Sequence, residues 1–234
     1  MNENQSSVKK QKSSHTRFIA GLLVLIFALT GFIGVLVQGI GYISSVSDRK
    51  QQENNNAYNS FLIPVVAVDP TPFDDIATAS KAQLVEIAIW AIISSDLNPD
   101  EYDYSSGKLA IPVEKVNEAY YKYFGSQTEI KHQTVEGYGY EFSYDAADSV
   151  YYIPLTSIIP VYTPVVTGSE KKGEATVITV GLINSSVWMQ DNNTGNLTAA
   201  QPEKYIKITL RTTGGESFIS AVQSSAAPET AQAD

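Results

Sequence analysis

From Phe18 to Ser47 the chain runs thirty residues without a charged side chain, directly after a basic N-terminal stretch. Its densest part, Phe18 to Val37, has the length of a bilayer-spanning helix, which needs about 20 apolar residues at 1.5 Å rise each. A helix suits hydrocarbon because it satisfies its own backbone hydrogen bonds. Lys9, Lys10, Lys12 and Arg17 precede the run against a single Glu3. The positive-inside rule therefore puts the N-terminus in the cytoplasm and everything after the run on the far side of the membrane.

A cleaved signal peptide is the competing reading. Its apolar region would be about 7–15 residues, ending at a small-x-small cleavage site. This run is longer, and no clear Ala-x-Ala follows it. Without cysteine, a lipoprotein anchor is excluded. Gly21, Gly31, Gly34, Gly39 and Gly41 would permit close helix packing, but glycine is common in membrane helices generally. The expected organisation is a cytoplasmic tail (1–17), a transmembrane helix (18–47), a stalk and extended linker (48–72), an extracytoplasmic domain (73–223) and a disordered tail (224–234).

Beyond Ser47 lie 24 acidic residues against 12 Lys and Arg, a net charge of −12. Such a surface does not suit nucleic acid, whose binding needs a basic stripe, nor flat adsorption on anionic lipid. Secreted eukaryotic domains usually carry disulfides, so a cysteine-free external domain points to a bacterial envelope.

Asp48 to Ser60 reads as a polar stalk or a helical extension of the anchor. Phe61 to Pro72, with Leu-Ile-Pro-Val-Val-Ala-Val and two further prolines, reads as extended. Asp74 or Asp75 can cap a helix. From about Ser80 the apolar residues Leu84, Ile87, Ala88, Ala91 and Ile92 repeat with helical period. Val85, Ile89, Ile93 and Trp90 widen the stripe, which marks a buried core helix. A second helix starts at Pro112, turns Val113, Val116, Tyr120, Tyr123 and Phe124 inward, and stops at Gly125.

After Gly125 the period changes to two. Tyr138, Tyr140, Phe142 and Tyr144 alternate with small or polar residues, and Val150 to Leu155 follows a turn. Ile158 to Val166 carries prolines suited to an edge or bulge. Ala175 to Leu182 and Tyr205 to Arg211 have strand composition, and Gly214-Gly215 turns the chain into a hairpin ending near Val222. The sum is an α+β domain: two helices packed on a curved antiparallel sheet of about five or six strands. That order resembles the cystatin-like, NTF2-like superfamily over roughly Ala79 to Gln223. The resemblance implies a bacterial domain behind a single anchor helix, found among transfer and sporulation-channel assemblies, ligand pockets and enzymes.

Little points to catalysis or metal. His132 is the one histidine outside the tail, and Glu129-Ile-Lys-His-Gln is no nucleophile context. Zinc needs several His or Cys, and thiol chemistry is excluded. Asp96, Asp100, Glu101 and Asp103 could serve glycosidic chemistry or Ca²⁺, or simply be a solvated loop. Asp191-Asn-Asn-Thr-Gly195 starts like a Ca²⁺ loop, but Glu203 falls one residue beyond the required offset. No catalytic residue, metal site or cofactor is expected. Fourteen tyrosines are the unusual feature. Tyr138, Tyr140, Tyr144, Tyr152 and Trp188 are the candidate binding residues, as aromatics that could stack on a glycan or grip a partner. The sequence thus leads to a non-enzymatic, membrane-anchored protein working through envelope partners or self-association. The alternative is a ligand-binding module for cell-wall glycan or a small molecule; a hydrolase using the acidic loop comes third.

Overall fold

The computed structural model describes residues 46–95, 97–154, 158–190 and 197–228. The expected membrane span lies outside them apart from Val46 and Ser47, and among the described residues no helix is long and apolar enough to cross a membrane. The architecture is α+β: three α-helices packed with two antiparallel sheets, where the sequence pattern predicts two helices on one sheet.

The first helix, α1 (Val46–Ala67), occupies both the polar stretch and most of the segment expected to be extended. Pro64 sits inside it. The missing backbone donor is outweighed by burial: Leu62, Val65, Val66 and Ala67 are wholly inaccessible to solvent. Asp75 then caps a short 3₁₀ turn, Ile76–Thr78, by accepting from the Ala77 N–H at 2.8 Å.

Helix α2 (Lys81–Ile93) begins where the periodicity places it, but its cap is Ser80, while the expected cap Asp75 serves the 3₁₀ turn instead. Nine of its thirteen residues are buried, on every side, because it lies in the middle of the molecule. Helix α3 (Val113–Phe124) is amphipathic, with Val116, Tyr120, Tyr123 and Phe124 inward. Gly125 ends it at φ 63°, and a Cβ there would meet the Phe218 ring at 3.0 Å. Glycine meets both demands.

The first sheet has the order β1-β2-β5-β4-β3, built from β1 (Asp103–Ser105), β2 (Lys108–Pro112), β3 (Val135–Glu136), β4 (Glu141–Asp145) and β5 (Val150–Pro154). The β1–β2 hairpin falls where the sequence predicts a loop. Ser106 (φ 51°) and Gly107 (φ 84°) form its tight two-residue turn. The second sheet has the order β11-β10-β7-β6, from β6 (Tyr162–Lys172), β7 (Ala175–Asn184), β10 (Lys204–Thr213) and β11 (Glu216–Ser225). A ribbon of β8 (Trp188–Gln190) and β9 (Leu197–Ala199) stands apart. Strand β11 takes in Ser224 and Ser225, the start of the expected disordered tail; residues 229–234 lie outside the described residues.

One hydrophobic cluster joins the inner faces of both sheets to the helices. Leu109, Ile111, Phe142 and Tyr151 come from the first sheet, Ile178, Val180, Ile206, Ile208 and Val222 from the second, and α2 lies among them. Helix α1 closes the β6 edge: the Val161 N–H donates to the Ala67 carbonyl at 2.9 Å and the Val166 N–H to Asn59 Oδ1 at 2.7 Å. At the junction after α1, Lys204 pairs with Asp69 and lies over the Tyr162 ring, 4.8 Å from its centroid.

Candidate functional site

The five candidate binding residues do not share one face. Tyr138 is in the β3–β4 turn and is 64% exposed. Tyr140, Phe142 and Tyr144 do share a side, but α2 covers it at Tyr140 and Phe142, and Tyr144 stacks on His132. Tyr140 is buried, stacked on Phe142 at 4.7 Å and edge-on to Trp90 at 5.7 Å. Tyr152 pairs with Ser143 while Tyr144 pairs with Tyr151, so Tyr152 points out of the opposite face. Trp188 belongs to the separate β8–β9 ribbon. The packing of α2 against this sheet accounts for the change: it consumes the face that alternation alone left open.

Two polar–aromatic clusters result. In the first, the Trp90 Nε1–H donates to Tyr140 Oη at 2.7 Å, and the Tyr140 O–H donates to Glu86 Oε1 at 2.7 Å. Trp90 is inaccessible and Glu86 half-buried. Burial pushes the Glu86 carboxyl up to about 6, with the Tyr140 hydrogen bond opposing it. Burial, then the carboxylate beside it, holds the Tyr140 hydroxyl far above the usual phenol range. Tyr140 therefore stays protonated and acts as a donor; Glu86 is the group that takes up and releases a proton.

In the second cluster His132 Nδ1 lies 3.1 Å from Tyr151 Oη, which also accepts the Gln133 N–H at 3.2 Å. The His132 ring stacks on Tyr144 at 5.4 Å, and Tyr144 sits 5.0 Å from Tyr151. Burial lowers the His132 pKa, with Glu114 pulling the other way. His132 is thus tied into a ring stack with Tyr144 and Tyr151.

The acidic loop is solvated. Asn98 caps the turn at Pro99–Glu101, accepting from the Asp100 N–H at 3.2 Å and donating to Glu101 at 3.1 Å. Asp103 opens β1, and Asp96 lies outside the described residues, as does 191–196. Among the described residues no three His, Asp or Glu side chains gather as a metal-holding group.

The sequence reading passed over Glu86, although a signal was present. It is the lone acidic residue of a thirteen-residue helix that is otherwise apolar but for Lys81 and Gln83. Its raised pKa makes a prediction. A carboxyl held at about 6 instead of 4.5 binds its proton more tightly folded than unfolded. That stabilisation is complete below the unfolded pKa and is lost as pH rises through the folded one. Glu86→Gln copies the neutral form and keeps an acceptor for Tyr140. Above pH 6 it is expected to stabilise the domain by about 1 kcal/mol, after allowance for solvent screening. Thermal melts should show that gain shrinking to nothing below pH 4.5; a gain independent of pH would refute the assignment.

Comparison of the chain with protein-family models, curated proteins and solved structures finds no match.

Proposed function

We propose that this protein is a non-enzymatic, single-pass membrane protein of a bacterial envelope, whose extracytoplasmic α+β domain works by binding other envelope proteins. The observation that carries the proposal is the continuity of α1 with the core. The helix that follows the uncharged thirty-residue run is no loose tether: Leu62, Val65, Val66 and Ala67 are among the most buried residues of the domain. A domain joined in this way to an anchor is held at a set height and orientation, which suits a component of an assembly. Two of the residues singled out in the sequence are bonded within the domain, Tyr140 to Trp90 and Glu86, and His132 to Tyr151. Kinship with NTF2-like domains belongs to the same proposal. Helices packed on antiparallel strands support it; the third helix, the β1–β2 hairpin between α2 and α3 and the division of the strands between two sheets weigh against it.

The alternative, a glycan or small-molecule module, is favoured by one observation, the half-exposed Tyr144–His132 stack at the end of the first sheet. Tyr138, Tyr140 and Tyr152 do not extend that platform.

The test is in-cell crosslinking of the whole chain, followed by solubilisation and capture. A reproducible set of envelope proteins, or a crosslinked pair of this chain, is the expected result. Repeated recovery of the membrane-bound protein alone would sink the proposal, and recovery with cell-wall fragments would transfer it to the alternative.

A further inference from the structure

Strand β6 and helix α1 lie side by side and run in opposite directions. Two hydrogen bonds fix this: Val161 N–H to the Ala67 carbonyl, and Val166 N–H to Asn59, eight residues back along the helix. Moving on along β6 therefore means moving back along α1, toward Val46. From Asn59, thirteen residues remain to the start of the helix, about 20 Å at 1.5 Å each. From Val166, six residues remain to the end of β6 at Lys172, one of them taken up by the bulge at Thr167, which leaves about 17 Å. By these lengths the end of the strand and the start of the helix come to within a few ångströms of the same height.

The β10–β11 turn comes to this same end of the sheet, because Lys172 pairs with Ala175 and Ala175 with Arg211. Both hairpins run out past the core. Lys171 to Glu174 and Arg211 to Ser217 are exposed throughout, and no large apolar side chain stands among them.

We infer that these two turns, at Gly173 and at Gly214-Gly215, rest on the lipid headgroups of the bilayer that holds Phe18 to Ser47. The inference builds on the reading of that run as an anchor and adds a second membrane contact to it. Charge supports the same occupant. The paired ends carry Lys171, Lys172 and Arg211 against Glu170, Glu174 and Glu216, a net charge of zero, while the chain beyond Ser47 stands at −12. The acidity lies elsewhere, and the end presented to an anionic membrane surface is spared its repulsion. Lys172 already pairs with Glu170 at 3.1 Å. Lys171 and Arg211 remain for phosphate groups. Bare glycine turns let backbone N–H groups approach the same phosphates, and the lack of large apolar side chains makes this a headgroup contact without insertion.

The chain has no cysteine, so single introduced cysteines report without background. Glu174→Cys and Thr213→Cys mark the two turns. Ser186→Cys marks the opposite end of β7, roughly 30 Å away. Each full-length variant, carrying a fluorophore, is reconstituted in phosphatidylethanolamine–phosphatidylglycerol vesicles containing a headgroup nitroxide lipid. Quenching several-fold stronger at 174 and 213 than at 186 is the expected result. Equal quenching at all three sites, in protein that resists alkaline extraction, overturns the headgroup contact and leaves the anchor intact. Release by alkaline extraction overturns the anchor reading and this inference together.

Discussion

Replacing Trp90 with alanine is expected to cost about 3–5 kcal/mol of folding stability, a large share of what a domain of this size possesses. Trp90 is among the largest side chains with no accessible surface, and its ring lies edge-on to Tyr140 and Phe142. Its loss empties that volume and removes the donor to Tyr140. Trp90→Phe separates the two effects. It keeps an aromatic ring against Phe142 and Tyr140 and deletes the indole N–H, for a cost of about 1 kcal/mol from the bond besides any loss of fit. Chemical denaturation of both variants would measure this. An alanine variant as stable as the phenylalanine one would show that the Trp90 ring contributes little to the packing of the core.

A fragment beginning at Phe73, the domain start marked by sequence, is expected not to fold, whereas one beginning at Gln51 is. Leu62, Ile63, Val65 and Val66 are each 6% exposed or less. At about 1.5–3 kcal/mol per buried aliphatic side chain, their loss approaches the whole stability of an ordinary domain. It would also leave the Val161 and Val166 N–H groups without their acceptors on α1. Circular dichroism melts of the two fragments test this. A cooperative transition in the Phe73 fragment would mean that α1 is an accessory and no part of the core.

How much of this was legible beforehand differs from element to element. The start of α2 at Ser80, the limits of α3 at Pro112 and Gly125, and the strands β7 and β10 follow from caps and periodicity, which are local. The end of α1 does not. Leu-Ile-Pro-Val-Val reads as extended because β-branched residues and proline weigh against helix, and only tertiary burial reverses that. The β1–β2 hairpin was missed because three- and five-residue strands show too few alternations. The split into two sheets depends on long-range pairings such as Leu109 with Ile153, which no local pattern encodes. The tyrosines show the same limit. Alternation placed Phe142 and Tyr144 on one side of β4 with Tyr140 just ahead of it, but it counted Tyr138 too, which lies in the β3–β4 turn, and the covering of that side was decided by α2, some fifty residues earlier in the chain. Glu86 gains its role in the same way, from a tyrosine more than fifty residues further on.

The antiparallel course of α1 and β6 has a mechanical consequence. Tension drawn along the axis of α1 slides the helix lengthwise against the strand. The Asn59 and Ala67 hydrogen bonds and the Lys204–Asp69 ion pair then bear the load together, in shear, where a helix attached at one end would unzip contact by contact. A domain held in this way resists being pulled from its own first helix, and its yield point is set by the simultaneous rupture of the whole seam.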